Sequence, residues 1–308
     1  MFKDSFKYYK SRNPPPDLKD VVDFSIPDLN KVRIITTQCV ENQQGDKLGL
    51  KPIKEWRVYE LIDVPGLIFI ENPFTEIGQQ YWILKCLKDY SKKPNKLNLD
   101  IHNVLNDNES WWDITFGNPE KGKNLLSKLR WTTLGYHHNW DTKKYSEDLK
   151  TQMPLEIVKL MDILADAIGF QGFKAEAAII NYYRMNSTLA GHTDHSEINI
   201  DAPLFSISFG QTAIFLIGGL TQEEPAVAMY LRSGDIVVMS EGSRLRYHGV
   251  PKILPTIIKP WETNNASESN TSISKNVDHW KKAKMYISEA RINMNIRQVL
   301  KSGQMTLY

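Results

Sequence analysis

The chain has 308 residues, of which 41% are apolar and 24% charged, and its formal net charge at pH 7 is +2. This composition is ordinary for a folded globular protein, and the small net charge creates no global attraction to a polyanion, which leaves only a local basic patch. Two cysteines exclude a disulfide-stapled framework, no apolar run reaches the ~18 residues of a membrane span, and the N-terminus lacks the apolar stretch of a signal peptide, so we expect an intracellular protein without a membrane partner.

The first part of the chain predicts mixed structure. Residues 1–30 begin with aromatic and basic residues and are then broken by three consecutive prolines, which predicts a short helix and an extended link. Residues 61–74 predict a strand that enters a turn, and Thr75 is the predicted N-cap of a helix that continues to about residue 90. Residues 91–125 are polar and are predicted to be irregular.

A second helix has clearer boundaries. Pro154 occupies a first-turn position and Gly169 lies just beyond the predicted end. Between them, apolar residues recur at helical spacing and form one stripe: Ile157, Leu160, Leu164 and Ile168. We interpret this helix as a scaffold that faces the core.

From residue 174 onward the pattern changes to many short strands separated by turns, which predicts a sandwich or jelly roll. Residues 260–276 interrupt these strands with a polar, Ser- and Asn-rich segment, which we predict to be a mobile loop. The predicted fold class is α+β with a mainly β core.

The motif "GHTDHSE", residues 191–197, holds two histidines and two carboxylates. On a strand His192 and Asp194 would share a face, whereas His195 would point the other way. A histidine and a carboxylate on one face supply two of the three ligands of a non-haem iron(II) site, although a polar surface loop is the alternative. The candidates for a third ligand are His102, His137, His138, His248 and His279. Among them, His248 lies at a strand edge and precedes a glycine.

The motif "RINMNIRQV" predicts an anion site. Arg291, Asn293 and Arg297 are spaced so that all three share one face of a strand. Two guanidinium groups inside an apolar β core require an anion, and arginine suits bidentate recognition of a carboxylate, so a dicarboxylate is the predicted ligand. An exposed edge strand with solvated arginines is the alternative. Asn181 and Tyr183 in "INYYR" also share a face and both carry hydrogen-bond donors.

Taken in order, N-x-Y, H-x-D, "RYHGV" and R-x-N-x-x-x-R resemble the motifs of the AlkB family of iron(II)- and 2-oxoglutarate-dependent dioxygenases. Residues 129–145 and the N-terminal segment resemble the animal AlkB homologue 1 subfamily, and the resemblance covers nearly the whole chain. It implies a double-stranded β-helix, or jelly roll, with supporting N-terminal helices. The implied organisation is an N-terminal segment (1–30), a substrate-side and scaffold region (31–172) and a dioxygenase core (173–308).

The resemblance assigns the candidate site residues to three groups. The implied iron ligands are His192, Asp194 and His248. The residues implied to bind 2-oxoglutarate are Asn181, Tyr183, Arg291, Asn293 and Arg297. The residues implied to lie beside the substrate base are Trp131, Tyr136 and His138. Several AlkB proteins carry a second aspartate two residues after the ligand aspartate, but Ser196 stands there and Glu197 follows, which puts the base preferences of the bacterial proteins in doubt.

The implied reaction uses Fe(II), 2-oxoglutarate and O2 to remove N-methyl groups from nucleic-acid bases, with formaldehyde, succinate and CO2 as products. The implied substrates are methyladenine in DNA and methylated tRNA, so the expected partner is tRNA or unpaired DNA, in the nucleus, mitochondrion or cytoplasm, and the chain is expected to be a monomer. Two alternatives stay open: a protein (for example histone) demethylase or a hydroxylase on the same iron core, and a non-catalytic jelly-roll binding module. Candidate phosphate contacts are Lys121, Lys123, Lys128, Arg130, Lys143 and Lys144.

Overall fold

The computed structural model describes residues 1–38, 45–262 and 277–308. Helices and strands are numbered here along the chain. The helices in these residues are α1 (Phe2–Lys10), α2 (Glu76–Leu84), α3 (Trp111–Gly117), α4 (Pro119–Leu125), α5 (Leu155–Ala167) and α6 (Val277–Ile287). None of them is both long enough and apolar enough to cross a membrane.

The strands of the described residues form two sheets. The larger sheet contains β1 (Val32–Ile34), β2 (Arg57–Leu61), β3 (Leu67–Glu71), β4 (Lys96–Leu97), β5 (Trp131–Gly135), β6 (Ala177–Arg184), β8 (Leu204–Gly210), β11 (Ile236–Met239) and β13 (Ala290–Arg297). The smaller sheet contains β7 (Leu189–His192), β9 (Thr212–Ile217), β10 (Val227–Leu231) and β12 (His248–Leu254). Their strand orders are β1-β2-β3-β11-β8-β13-β6-β5-β4 and β10-β9-β12-β7.

The two sheets pack face to face around an apolar core. Every pairing between these strands is antiparallel. Side chains from both sheets contribute to this core, including Leu204, Val237, Phe215, Met229 and Ile253. Two antiparallel sheets that bury their facing sides make a sandwich of the jelly-roll kind, which confirms the predicted mainly β core.

Helices cover the outer face of the larger sheet, where a second core cluster includes Trp82 of α2, Leu164 of α5 and Tyr286 of α6. The predicted N-cap is confirmed, because the Thr75 side chain accepts the N–H of Gly78 at 3.0 Å. α2 continues as a π-helical turn that ends at residue 89, close to the predicted end. In α5, the predicted apolar stripe is buried.

The structure differs from the sequence prediction in one of the regions that connect the main elements. Residues 91–125 were predicted to be irregular, which is wrong: α3, α4 and β4 lie there, and Trp111 and Trp112 are buried in the core. Both helices have only seven residues, too few for a periodic signal. The predicted loop at 260–276 lies outside the described residues from 263 onward. The boundaries after residues 30 and 172 stay predictions, and β1 to β5 extend the larger sheet across the second of them.

Candidate metal and cosubstrate site

Two histidines and one aspartate converge at one end of the sandwich. His192 ends β7 and His248 begins β12, and the two residues are direct cross-strand partners. The Asp194 carboxylate lies 3.9 Å from His192 Nε2 and 3.5 Å from His248 Nε2, and one ligand atom from each of the three residues falls within 4.8 Å of the others. These three residues could hold one metal ion.

The hydrogen bonds of the two histidines leave the correct nitrogens available to a metal. His192 Nδ1 lies 3.0 Å from the carbonyl oxygen of Ala190, and His248 Nδ1 lies 3.1 Å from that of Arg246. A carbonyl accepts only from a protonated Nδ1, which leaves the Nε2 lone pair of each ring free toward the common centre. Because Asp194 Oδ2 is buried there without a hydrogen-bond partner in the described part of the chain, the donor set fits a divalent metal.

The electrostatics keep these groups in the protonation states that a metal requires. Burial, reinforced by the neighbouring His248, lowers the pKa of His192 to about 4, so its ring is neutral at pH 7. Burial raises the pKa of Asp194, but the Arg297 guanidinium, 3.0 Å from Oδ1, outweighs that effect and holds the pKa well below its usual value. The carboxylate is therefore ionised.

The backbone explains why these residues meet, and it corrects one prediction. β7 ends at His192, so Asp194 lies in an irregular segment and not on the strand. Its carboxylate reaches the two histidines because this segment turns back toward them, and strand alternation alone does not account for the meeting. The glycine after His248 is required by close packing, since a Cβ on Gly249 would lie 2.9 Å from the carbonyl oxygen of Leu189 in β7.

A buried guanidinium lies in a cavity beside the three residues. Arg291 is only 1% exposed; its Nη2 donates to Ser208 Oγ at 3.0 Å, while Nε and Nη1 have no partner among the residues that the structure describes. Within the same residues the buried hydroxyl of Tyr183 also has no partner, and the Tyr183 ring centroid lies 5.0 Å from the guanidinium carbon. Burial lowers the pKa of Arg291, which reflects an uncompensated buried charge. Unpaired buried donors of this kind fit the carboxylate of an anion that shares the cavity.

The alternative of an exposed edge strand is wrong, because β13 lies between β6 and β8 in the larger sheet and Arg291, Asn293 and Arg297 are all buried. Asn293 lines the Arg291 cavity, and its amide donates to Ser206 Oγ at 2.8 Å. Asn181 pairs with Asn293 across the strands but lines an adjoining cavity. Arg297 forms an ion pair with Asp194, so it lies between the predicted metal ligands and the predicted 2-oxoglutarate-binding residues.

The residues predicted to lie beside a substrate base divide into two groups. Trp131 lines the adjoining cavity, and its ring centroid lies 5.2 Å from that of Trp140, which is 45% exposed. The ring centroid of His138 also lies 4.7 Å from that of Trp140, and burial lowers the pKa of His138. Tyr136 is 1% exposed, packs in the small cluster that contains Val299 and donates its hydroxyl to Glu147. No base can stack on so deeply buried a ring, so this assignment is corrected to a packing role.

Sequence reasoning missed four residues around this site. Trp140 extends the aromatic surface, and it lies within residues 129–145, the segment that resembles the AlkB homologue 1 subfamily. Tyr145, Glu197 and Arg244 form a buried polar cluster with Arg297. Glu197 stood out only as a departure from a family motif. Arg244 gave no local signal, because its partners are 42 to 50 positions away in the chain.

The sandwich, the His-Asp-His cluster at its mouth and the buried arginine beside it together define an iron(II)- and 2-oxoglutarate-dependent oxygenase. A family model described as the 2OG-Fe(II) oxygenase superfamily matches residues 66–297. The chain belongs to this superfamily and, within it, to the AlkB homologue 1 group. Fe(II), 2-oxoglutarate and O2 are accordingly its cofactor and cosubstrates, as the sequence predicted.

Known relatives extend over nearly the whole chain. The "Nucleic acid dioxygenase ALKBH1" of Mus musculus is 42% identical, and the alignment covers 98% of this chain and 85% of the relative. The "DNA N(6)-methyladenine demethylase ALKBH1A" of Arabidopsis thaliana is 30% identical, with 96% and 90% covered. The solved structure of OsALKBH1 superposes with a TM-score of 0.52 at 18% identity, covering 76% of this chain and 97% of that one, a likeness that concerns the fold alone.

Proposed function

We propose that this dioxygenase oxidatively removes N-methyl groups from nucleic-acid bases, namely methyladenine in DNA and/or methylated bases in tRNA, and releases formaldehyde, succinate and CO2. The proposal is supported by the names of the mouse and Arabidopsis relatives, which are a nucleic acid dioxygenase and a DNA N(6)-methyladenine demethylase. Both relatives align with more than nine-tenths of this chain, so they include the substrate-side residues as well as the β core.

The proposed metal ligands are His192, Asp194 and His248, which leave further coordination positions open. Iron(II) held by these residues would supply the activation of dioxygen, with one oxygen atom going into succinate as 2-oxoglutarate loses CO2 and the other oxidising the N-methyl group, which is released as formaldehyde. We assign 2-oxoglutarate to the Arg291 cavity. The residues proposed to bind it are Asn181, Tyr183, Arg291, Asn293 and Arg297.

In this proposal the protein orients the dianion through charge and hydrogen bonds. Arg291 Nε and Nη1 and the Tyr183 hydroxyl are free to donate to a carboxylate, and a bidentate guanidinium–carboxylate pair fixes both the position and the direction of the ligand. Leu204, Phe215 and Met239 form an apolar part of the cavity wall, which limits the access of water.

One observation carries the substrate class: an aromatic surface lies on a cavity that adjoins the Arg291 cavity. Tyr183 and Leu189 line both cavities, and Trp131 lies in the wall of the second. Together Trp131, Trp140 and His138 form the surface. Stacking on such rings contributes about 1–3 kcal/mol per base. A base must leave its duplex to reach them, which favours tRNA loops and unpaired DNA. The compartment, whether nucleus, mitochondrion or cytoplasm, and the monomeric state stay predictions.

The test is mass spectrometry of nucleosides after the full chain has been incubated with Fe(II), 2-oxoglutarate, air and either methylated tRNA or methylated bubble DNA. We expect loss of a methylated adenosine with matching formaldehyde and succinate. His192→Ala abolishes turnover because one metal ligand is lost, whereas His195→Ala, which removes the exposed neighbouring histidine, leaves it within about twofold of wild type.

Two results would contradict the proposal. Succinate formation by His192→Ala at the wild-type rate would disprove the metal assignment. Turnover of a methylated histone peptide with no loss of methyl groups from either nucleic acid would favour the protein demethylase instead.

A further inference from the structure

The segment between β7 and β8 carries Asp194 without regular secondary structure, and Arg244 donates hydrogen bonds to three of its residues. Arg244, 3% exposed, follows the short helical turn after β11. Its Nη1 donates to the Asp194 carbonyl oxygen at 2.6 Å, its Nε to the Ala202 carbonyl oxygen at 3.0 Å and its Nη2 to Glu197 Oε2 at 3.0 Å. One guanidinium therefore joins three points of the segment that presents a metal ligand.

Glu197 connects this arginine to a second one. Its Oε1 accepts the Tyr145 hydroxyl at 2.8 Å and lies 3.5 Å from Arg297 Nε. Arg297 in turn contacts Asp194 Oδ1 at 3.0 Å and donates from Nη1 to the Tyr145 hydroxyl at 3.3 Å. Asp194 and Glu197 thus share Arg297, and Asp194 Oδ1 is occupied while Oδ2 remains free.

The charges of this cluster cancel. Two carboxylates, Asp194 and Glu197, face two guanidinium groups, Arg244 and Arg297. Glu197, Arg244 and Arg297 are each at least 95% buried. A buried ion pair that loses one partner leaves an uncompensated charge, which is costly at low dielectric. A divalent cation and a dianion add equal and opposite charges, so binding both leaves the net charge of the site unchanged.

We propose that Glu197 is a positioning residue for the metal: together with Arg244 it holds the Asp194 segment and fixes Arg297, so that Asp194 presents its free oxygen to the cation. The inference rests on the proposed metal ligands. It also implies that Glu197 does not recognise the base, because this side chain is only 4% exposed and its oxygens face Arg244, Tyr145 and Arg297.

The test is calorimetric titration of Glu197→Gln with Mn(II) alone, and then of the Mn(II)-loaded protein with 2-oxoglutarate. Glutamine keeps the shape of the side chain but leaves the cluster with one excess positive charge. We expect the Kd for Mn(II) to rise about 10- to 100-fold, the range typical of lost outer-shell partners. The Kd for 2-oxoglutarate stays the same or falls, because the excess positive charge favours a dianion.

Glu197→Asp supplies the conservative control, since it restores the charge on a side chain one methylene shorter, and we expect partial recovery of the Mn(II) affinity. Should Glu197→Gln fail to fold, Tyr145→Phe removes one hydrogen bond to Glu197 without burying an unpaired charge, and a several-fold rise of the Mn(II) Kd is expected.

An unchanged Mn(II) affinity in the variants that fold, or an equal loss of Mn(II) and 2-oxoglutarate affinity in Glu197→Gln, would overturn the inference. His192→Ala distinguishes a failure of the metal assignment from a failure of the positioning role. If it also retains Mn(II) affinity, the metal assignment is wrong. If it loses Mn(II) while Glu197→Gln does not, only the positioning role is wrong.

Discussion

Arg291 illustrates how a single residue can reveal the ligand that it requires. Its guanidinium is buried on a central strand, yet two of its three nitrogens lack an acceptor among the described residues. An unpaired buried donor destabilises the folded state by about 1–3 kcal/mol, and by more if it is charged. Such a donor indicates a ligand that pairs with it when bound. The sequence motif indicated this site, since the alternative of solvated arginines required an edge strand.

The residue-scale prediction concerns the cosubstrate. Arg291→Gln removes the charge and most of the donors, so we expect the Kd of the Mn(II)-loaded protein for 2-oxoglutarate to rise about 100-fold, the loss of one or two charged hydrogen bonds. Calorimetry measures it, and the Mn(II) affinity itself changes little. Arg184→Gln, on the neighbouring strand and paired with the exposed Glu289, is the matched control and keeps the wild-type Kd. A Kd for 2-oxoglutarate that is the same in Arg291→Gln as in the wild type would mean that the dianion binds elsewhere.

At the scale of elements, the sequence pattern predicted the helices and strands whose residues repeat at regular spacing, but it did not predict the course of irregular segments and turns. α5 and β13 follow regular spacing, so their buried faces could be assigned from sequence. Asp194 was correctly predicted to lie beside His192 and His248, but the predicted reason, alternation along a strand, is incomplete because β7 ends two residues before Asp194. Tyr136 was assigned wrongly, because the turn after β5 directs its ring into the core, and no periodicity encodes the direction of a turn.

His137 links two elements and supplies a prediction about pH. It lies beyond β5, with its Nδ1 2.8 Å from Thr133 Oγ1 and its Nε2 3.1 Å from Thr151 Oγ1. Burial, with a smaller contribution from Lys96, lowers its pKa to about 4 from an unfolded value of 6.5. Between these two values the unfolded chain binds a proton that the folded chain does not. The stabilisation is therefore complete above pH 6.5 and is lost as the pH falls toward 4.

The measurement is urea unfolding at pH 7 and pH 5 for wild type and His137→Gln. The variant is less stable at pH 7 because it loses these hydrogen bonds. The wild type, however, loses up to about 1.4 kcal/mol more per pH unit than the variant across this window. His102→Gln, which replaces an exposed histidine, keeps the wild-type pH dependence. Parallel pH profiles for wild type and His137→Gln would show that His137 does not titrate differently on folding.

At the scale of the whole molecule, the site depends on contacts between distant parts of the chain. Arg244 and Glu197 are 47 positions apart, and Tyr145 and Arg297 are 152 positions apart, yet all four meet beside Asp194. A single sequence contains no signal for such pairs, because their spacing follows from the order of strands in the two sheets. The motifs identified the metal and anion groups, whereas the cluster that joins them became visible only in three dimensions.

The distribution of positive charge predicts a salt dependence of binding that distinguishes a nucleic-acid substrate from a protein or a small molecule. The net charge of +2 supplies little global attraction, so phosphate binding must come from local lysines. Lys143 and Lys144 are exposed on the segment that presents His138 and Trp140. Each lysine that neutralises a phosphate of a single strand contributes about −0.7 to the slope of log K against log salt.

We therefore expect the affinity for single-stranded DNA to fall steeply with salt, and the slope to flatten by about 1.4 in the double variant Lys143→Gln/Lys144→Gln, as two phosphate contacts are lost. Fluorescence anisotropy at several salt concentrations measures it. Lys47→Gln/Lys54→Gln removes the same charge from exposed positions on the segment before β2 and leaves the slope unchanged, which excludes a net-charge effect. A wild-type slope near zero would instead mean that no phosphates are bound, because only counterion release makes binding this sensitive to salt, and the substrate would then have to be a protein or a small molecule.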